Sequence, residues 1–273
     1  MHILETKLAR LQEKVGSLES VVLGFSGGAD STLLLKVSLD VLGRTKVLAV
    51  TFHSEIQSEN ELTHALQLAQ SMDAQHLVIE GNELQNDLFV TNPPDRCYYC
   101  KLRRYRQLLS LAAERQFRNV IDGSNYSDLA DYRPGIKALL ELGIKSPLQE
   151  AQLTKDDVRA LSFKLDLPTW NRPAQACLAS RIPYGQRITA LALQQVAKAE
   201  KVLSDAGFSL CRVRHHGEVA RIEVPRQDLV RLFQQPGIDD IVRAIKATGF
   251  RYVAVDLEGY RTGSLNELLE PNE

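Results

Sequence analysis

The chain has 273 residues, 44% hydrophobic and 25% charged, with 33 Lys+Arg against 34 Asp+Glu for a formal net charge of −1. Such values suit one large or two moderate packed domains, exclude a disordered or fibrous chain, and leave no broad basic footprint for a long nucleic acid. No apolar run approaches a membrane span, and Met1-His2-Ile3-Leu4-Glu5 lacks the basic-then-apolar layout of a signal peptide, so a cytoplasmic protein with no membrane or nucleic-acid partner is expected.

Ile3, Leu4, Leu8, Leu11, Val15 and Leu18 recur at helical spacing and predict an amphipathic helix ahead of the first strand. That strand, Val21-Val22-Leu23, runs straight into Gly24-Phe25-Ser26-Gly27-Gly28-Ala29-Asp30-Ser31, and a helix carrying Leu33, Leu34, Leu35 and Val37 runs out. A glycine-rich turn between strand and helix lets main-chain N–H groups approach phosphate oxygens, with the positive end of the helix aimed at the same spot. Ser26 and Ser31 add hydroxyls, Gly27 and Gly28 the bare backbone, and Asp30 a carboxylate able to position Mg²⁺. The Gly-Lys-Ser/Thr ending of a Walker loop is absent.

Strand and helix then alternate. Residues 46–52 read as a strand, Ser58-Glu59-Asn60-Glu61 opens a helix with capping-box spacing, and residues 75–79 form a third strand. A helix from about Tyr98 to Gln116 and a strand over 119–122 continue the series, which argues for a parallel, doubly wound α/β sheet with ligands at the carboxyl ends of its strands. Beyond about Leu165 the pattern changes: Pro168, Pro173, Pro183 and Gly185 punctuate residues 168–187. A helix from Thr189 to Ala206, strands over 211–215 and 219–224, a further helical stretch and a strand over 251–256 make a smaller α+β unit. The domain boundary is set at 167/168, giving domains 1–167 and 168–273, and the tail from Glu267 is expected to fray.

The Ser26–Ser31 stretch resembles the SGGxDS pyrophosphate loop of the PP-loop ATP pyrophosphatases, which split ATP between its α- and β-phosphates and form adenylates. Asp122-Gly123-Ser124-Asn125 at a strand end, followed by Arg133-Pro134-Gly135 and Ser146-Pro147-Leu148, agrees with that superfamily, where a Gly-Ser/Thr-Asn segment closes over the nucleotide. The segment Trp170-Asn171-Arg172-Pro173-Ala174-Gln175-Ala176-Cys177-Leu178-Ala179-Ser180-Arg181-Ile182-Pro183-Tyr184-Gly185 resembles the cysteine loop of the LarE family of ATP-dependent sulfur transferases, and the likeness covers nearly the whole chain. The resemblance implies an enzyme that adenylates a carboxylate of pyridinium-3,5-biscarboxylic acid mononucleotide and converts it to a thiocarboxylate. It further implies a product destined for the nickel-pincer cofactor of lactate racemase, partner proteins of that biosynthesis, and a trimeric or hexameric assembly. It makes Cys177 the sulfur carrier beside Ser180 and Arg181, and Arg212 and Arg214 the ligands of the substrate's phosphate.

The chemistry is coherent. A carboxylate becomes an electrophile once AMP is attached, and a thiolate is then the competent nucleophile, favoured by nearby positive charge such as Arg172 or Arg181. Lys101 is a point charge able to reach phosphates, or a solvated lysine. Cys97-Tyr98-Tyr99-Cys100 resembles family members thought to hold an iron–sulfur cluster. On that reading Cys97, Cys100 and Cys177 ligate a [4Fe-4S] cluster with one iron open to sulfide. A zinc site with Cys211, a Cys97–Cys100 disulfide and plain buried thiols are the alternatives, although Cys211 alternates within a strand as a small core residue does. Glu200 and Glu223 match acidic residues near the family's active site, or are ordinary surface charges; His215 and His216, neighbours on a strand, face opposite sides. Competing functions are tRNA thiolation, an amide-forming synthetase and a nucleotide-binding redox sensor.

Overall fold

The computed structural model describes residues 2–130, 133–173, 176–261 and 263–269. Ala174 and Gln175 of the cysteine segment, and 270–273 of the tail expected to fray, lie outside the described residues. In chain order the first elements are α1 (His2–Gly16), β1 (Val21–Gly24), α2 (Ala29–Leu42), β2 (Val47–His53), α3 (Glu59–Ser71), β3 (Gln75–Glu80) and the short α4 (Asp87–Val90). They are followed by α5 (Arg96–Glu114), β4 (Asn119–Ile121), α6 (Pro134–Glu141), α7 (Pro147–Glu150) and α8 (Lys155–Lys164). The last third holds α9 (Ala190–Asp205), β5 (Arg212–His216), β6 (Val219–Glu223), α10 (Leu229–Phe233), α11 (Ile238–Ala247) and β7 (Tyr252–Val255).

Two compact units result: Met1–Asn82 with Asp95–Gln175, and Glu83–Pro94 with Ala176–Glu273. In the first, four strands lie in the order β3-β2-β1-β4, all parallel, with Val21 opposite both Val47 and Asn119. Their side chains alternate between two cores. Val21, Leu23, Val47 and Ala49 pack with Leu11 and Val15 of α1, Leu34 of α2 and Leu161 of α8. Val22, Leu48, Val50 and Val120 face the other way, onto Tyr105, Leu108 and Ala112 of α5 and Leu139 of α6. The central strands, buried on both faces, need apolar residues at consecutive positions, which is why residues 21–23 and 47–50 read as unbroken apolar runs, whereas the edge strand β3 is partly exposed.

In the second unit β5 and β6 are antiparallel, with Arg214 opposite Arg221, and β7 joins β6 in parallel with Val255 opposite Ile222. Ala199, Leu203, Phe208, Val213, Ile222, Ile245 and Phe250 form its core. The chain enters this unit in two pieces, where the sequence reading had set one crossing at 167/168. Hydrogen bonds account for the extra piece: the Asn92 amide donates to the carbonyls of Ile182 (3.1 Å) and Pro183 (2.8 Å). The backbone N–H groups of Gly185 and Ile188 donate to the carbonyls of Asn92 and Val90.

Candidate nucleotide and sulfur-transfer site

The phosphate loop hangs between the end of β1 and the start of α2. Gly27 takes a left-handed backbone (φ 70°) that an L side chain adopts only with strain, and a Cβ there would stand 3.2 Å from Ala65 Cα. The hydroxyls of Ser26 and Ser31 are 3.2 Å apart, the Gly28 N–H donates to Ser26 Oγ, and Ser31 Oγ donates back to the Gly28 carbonyl. These bonds hold the loop curled around the N-terminal turn of α2, a concave array of donors suited to an anion. Gly123, just beyond β4, passes so close that a Cβ would lie 3.2 Å from the Ser31 nitrogen. Both glycines therefore serve close backbone approach.

Around the loop, the Asn125 amide donates to Asp30 Oδ1 at 2.9 Å. Burial pushes the Asp30 carboxyl above its usual range against the pull of that bond, and Asp128 adds to the rise. An incoming cation would reverse this, so the residue suits a magnesium ion arriving with nucleotide. Asp122, 5% exposed at the end of β4, is the hub of a second network. Lys101 Nζ (3.1 Å), the Tyr105 hydroxyl (3.0 Å), the Ser124 N–H (2.8 Å) and the Ser146 hydroxyl (3.3 Å) all donate to it. Burial raises its pKa, and Lys101 with the Ser124 bonds more than offsets the rise, holding the carboxyl below the usual range. Lys101, read from sequence as a phosphate contact or a solvated charge, is thus ion-paired at the strand ends. The hub itself escaped the sequence reading; its one signal was an Asp ending a buried strand.

All four cysteines are thiols. Cys97 and Cys100 sit three residues apart in the first turns of α5, within the first unit, and Cys177 immediately precedes a 3-10 turn, Leu178–Arg181, in the second. Thiolates are the right donors for an iron–sulfur cluster, and the Cys97/Cys100 spacing puts two on one helical face. Among the described residues no three His, Cys, Asp or Glu side chains converge as a complete cage. Cys97 and Cys100 belong to one unit and Cys177 to the other, and no chemical step is derived through a cluster. Cys211 is buried, and its thiol is pushed up to about 12, first by burial and then by Glu200. It belongs to the core, as its alternation in sequence predicted.

The turn bearing Cys177 is organised by Arg181, 2% exposed. Its Nη1 donates to the carbonyls of Ala176 (2.6 Å) and Cys177 (3.1 Å) and to Ser180 Oγ (2.9 Å). Its Nε and Nη2 engage both oxygens of Glu200 at 2.8 and 3.0 Å. Ser180 also gives its carbonyl to Arg214 Nη1 at 2.8 Å. Arg214 in turn grips Glu223 through two bonds of 2.9 and 2.7 Å. Glu223 is 1% exposed and pairs with Arg214 and Arg221, so its reading as a surface charge is corrected. Arg212 lies over the Tyr260 ring and donates to the Cys211 carbonyl; burial, then Arg181, lowers its pKa.

Arg181, Arg214, Arg221, Arg261 and His216 line a cavity of about 160 Å³ in this unit. Arg221 and Arg261 lie far apart in sequence and were not singled out there. His215 turns away to Gln195 at 3.1 Å, so the two histidines do face apart.

Residues 3–91 match the NAD synthase family. An uncharacterised protein of Synechocystis sp. is 43% identical over 98% of this chain and 99% of its own length. The pyridinium-3,5-bisthiocarboxylic acid mononucleotide synthase of Lactiplantibacillus plantarum is 42% identical over 98% of this chain and 97% of its own. The chain belongs to the LarE family. As a LarE protein with a PP-loop nucleotide domain, it is an ATP-dependent sulfur-transferring enzyme. Among the described residues of this LarE protein, no helix is long and apolar enough to cross a membrane.

Proposed function

We propose that the enzyme makes a thiocarboxylate from pyridinium-3,5-biscarboxylic acid mononucleotide, and so acts in nickel-pincer cofactor biosynthesis for lactate racemase. The observation that carries this is the 42% identity, spanning both units, to a synthase named for the bisthiocarboxylic product. The loop Ser26–Ser31, with Asp30 and Gly123, binds Mg·ATP. A substrate carboxylate oxygen attacks the α-phosphorus, the bond to the bridging oxygen breaks, and pyrophosphate leaves with the electron pair. The Cys177 thiolate then adds to the acyl carbon and AMP departs, leaving a thioester.

Arg181 fixes the backbone that presents Cys177, through the Ala176 and Cys177 carbonyls. Arg214 and Arg212 hold the substrate's phosphate, with Arg214 aimed by Glu223 and the Ser180 carbonyl. Loss of the Cys177 Cα proton to a base and cleavage of its Cβ–S bond release the thiocarboxylate and leave dehydroalanine. In the renewable alternative Cys177 would instead serve, with Cys97 and Cys100, as a ligand of a [4Fe-4S] cluster, which would supply the sulfur in place of the cysteine. A cytoplasmic trimer or hexamer is the proposed setting.

Intact-protein mass spectrometry on anaerobically prepared enzyme, before and after incubation with Mg·ATP and the biscarboxylic mononucleotide, tests the reading. Loss of one H₂S localised to Cys177, matched by thiolated product, supports the sacrificial route. Product with unchanged Cys177 supports the renewable one, and pyrophosphate release without any thiolated product overturns the substrate assignment.

A further inference from the structure

Two side chains from outside the phosphate loop, His64 and Arg172, stand at its tip. A Cβ on Gly27 would lie 3.4 Å from His64 Cδ2 as well as 3.2 Å from Ala65 Cα, so the second turn of α3 is pressed against the loop tip. His64 Nε2, the atom bonded to that Cδ2, is buried and has no hydrogen-bond partner among the described residues. A buried polar atom of this kind carries a desolvation cost that an acceptor on a ligand would relieve. Arg172 reaches the same glycine, its Nη1 donating to the Gly27 carbonyl at 3.5 Å, the limit of a hydrogen bond. Among the described residues that is the one side-chain hydrogen bond given to Arg172, whose guanidinium carries five donors. Burial lowers its pKa and the Glu61 carboxylate opposes the shift, leaving a partly desolvated cation beside the loop.

We propose that Arg172 and His64 bind the β- and γ-phosphates of ATP and hold the pyrophosphate as it leaves, completing with side chains a cradle whose floor is the loop backbone. The inference rests on the adenylation reading and deepens it. Adenine and ribose offer a guanidinium no charge to pair with, whereas the terminal phosphates carry most of the nucleotide's charge. As the bond from the α-phosphorus to the bridging oxygen breaks, its electron pair and the growing charge pass to the pyrophosphate. A planar donor fork at that point then interacts more strongly with the transition state than with bound ATP. A phosphate oxygen only accepts, so His64 Nε2 carries the proton in the complex. Both residues come from outside the SGGxDS stretch: His64 is brought in by α3, and Arg172 by the chain that follows α8.

Calorimetric titration of the full-length enzyme with Mg·pyrophosphate, and separately with AMP, tests this in wild type, Arg172→Ala, Arg172→Lys, His64→Gln and His64→Ala. Expected is a loss of pyrophosphate affinity on the order of tenfold or more for Arg172→Ala, a smaller loss for Arg172→Lys, and several-fold for the His64 variants, with AMP affinity held within about twofold. Unchanged pyrophosphate affinity in the folded variants overturns the proposal, as does an equal loss of AMP and pyrophosphate binding. Should Arg172→Ala fail to fold, Arg172→Lys and His64→Gln decide by the same criteria. If wild type binds neither ATP nor pyrophosphate, the adenylation reading fails first; if wild type releases pyrophosphate and the variants still bind it normally, only the Arg172/His64 assignment fails.

Discussion

Glu200→Gln isolates the ion pair beneath the cysteine turn. Arg181 is 2% exposed and Glu200 16%, and the carboxylate takes three donors: Arg181 Nε, Arg181 Nη2 and the Val213 N–H. Glutamine keeps one acceptor oxygen, but its NH₂ group would face a guanidinium donor where a carboxylate oxygen stood. One charge-assisted bond is lost, at about 1.5–3 kcal/mol, and the buried cation loses its counter-charge. Removing one partner of a buried pair costs about 3–5 kcal/mol, and the residual access of water to Glu200 places this case near about 3 kcal/mol. For a domain of this size that is a fall in melting temperature of roughly 12–24 °C. Because the same guanidinium holds the Ala176 and Cys177 carbonyls, single-turnover formation of thiolated product should slow in the folded fraction, while ATP-dependent pyrophosphate release persists. Urea unfolding and rapid-quench thiolation are the assays. A loss under about 1 kcal/mol with a wild-type thiolation rate would refute the assignment of Arg181 and Glu200 as the support of the cysteine turn.

Gly27→Ala forces a left-handed backbone on an L residue, at about 1–2 kcal/mol, and sets a Cβ 3.2 Å from Ala65 Cα, so the KM for ATP should rise about tenfold or more; an unchanged KM in a pyrophosphate-release assay counts against the loop geometry. Asp122 is held below the usual carboxylate range in the fold, so the stability it contributes is complete above its unfolded pKa of about 3.9 and is lost as pH falls through its lower folded value. Asp122→Asn should flatten that acid limb of the stability curve, and a parallel, merely displaced curve would show that other groups set it. Cys211, buried with its thiol raised to about 12, should be the last of the four cysteines labelled by iodoacetamide at pH 8 in the native state; early labelling, read by peptide mass spectrometry, would contradict its place in the core.

Local signals in the chain reached far but unevenly. Each strand of both sheets was legible within a residue or two; in β1 and β2 the reason is that burial on two faces demands apolar runs, and the Ser58–Glu61 cap marked α3. The helices α6, α7 and α8 were passed over although Pro134 and Pro147 stand in first turns and Thr154 caps with Asp157. Their short lengths give little periodicity to read. The candidate site divided in the same way. The curled loop at Ser26–Ser31 follows from adjacent residues, and sequence spacing alone could not tell whether Arg172 or Arg181 turns toward Cys177.

By itself, the sequence determined the parallel nucleotide-binding sheet, the phosphate loop and the presence of a cysteine turn, since each depends on neighbours along the chain. Only the tertiary structure decided the pairings. Arg181 lies with Glu200, Arg214 with Glu223, Lys101 with Asp122, and Arg172 with Gly27. A long charged side chain turns to whichever partner relieves its desolvation, and that partner is set by packing between segments distant in sequence.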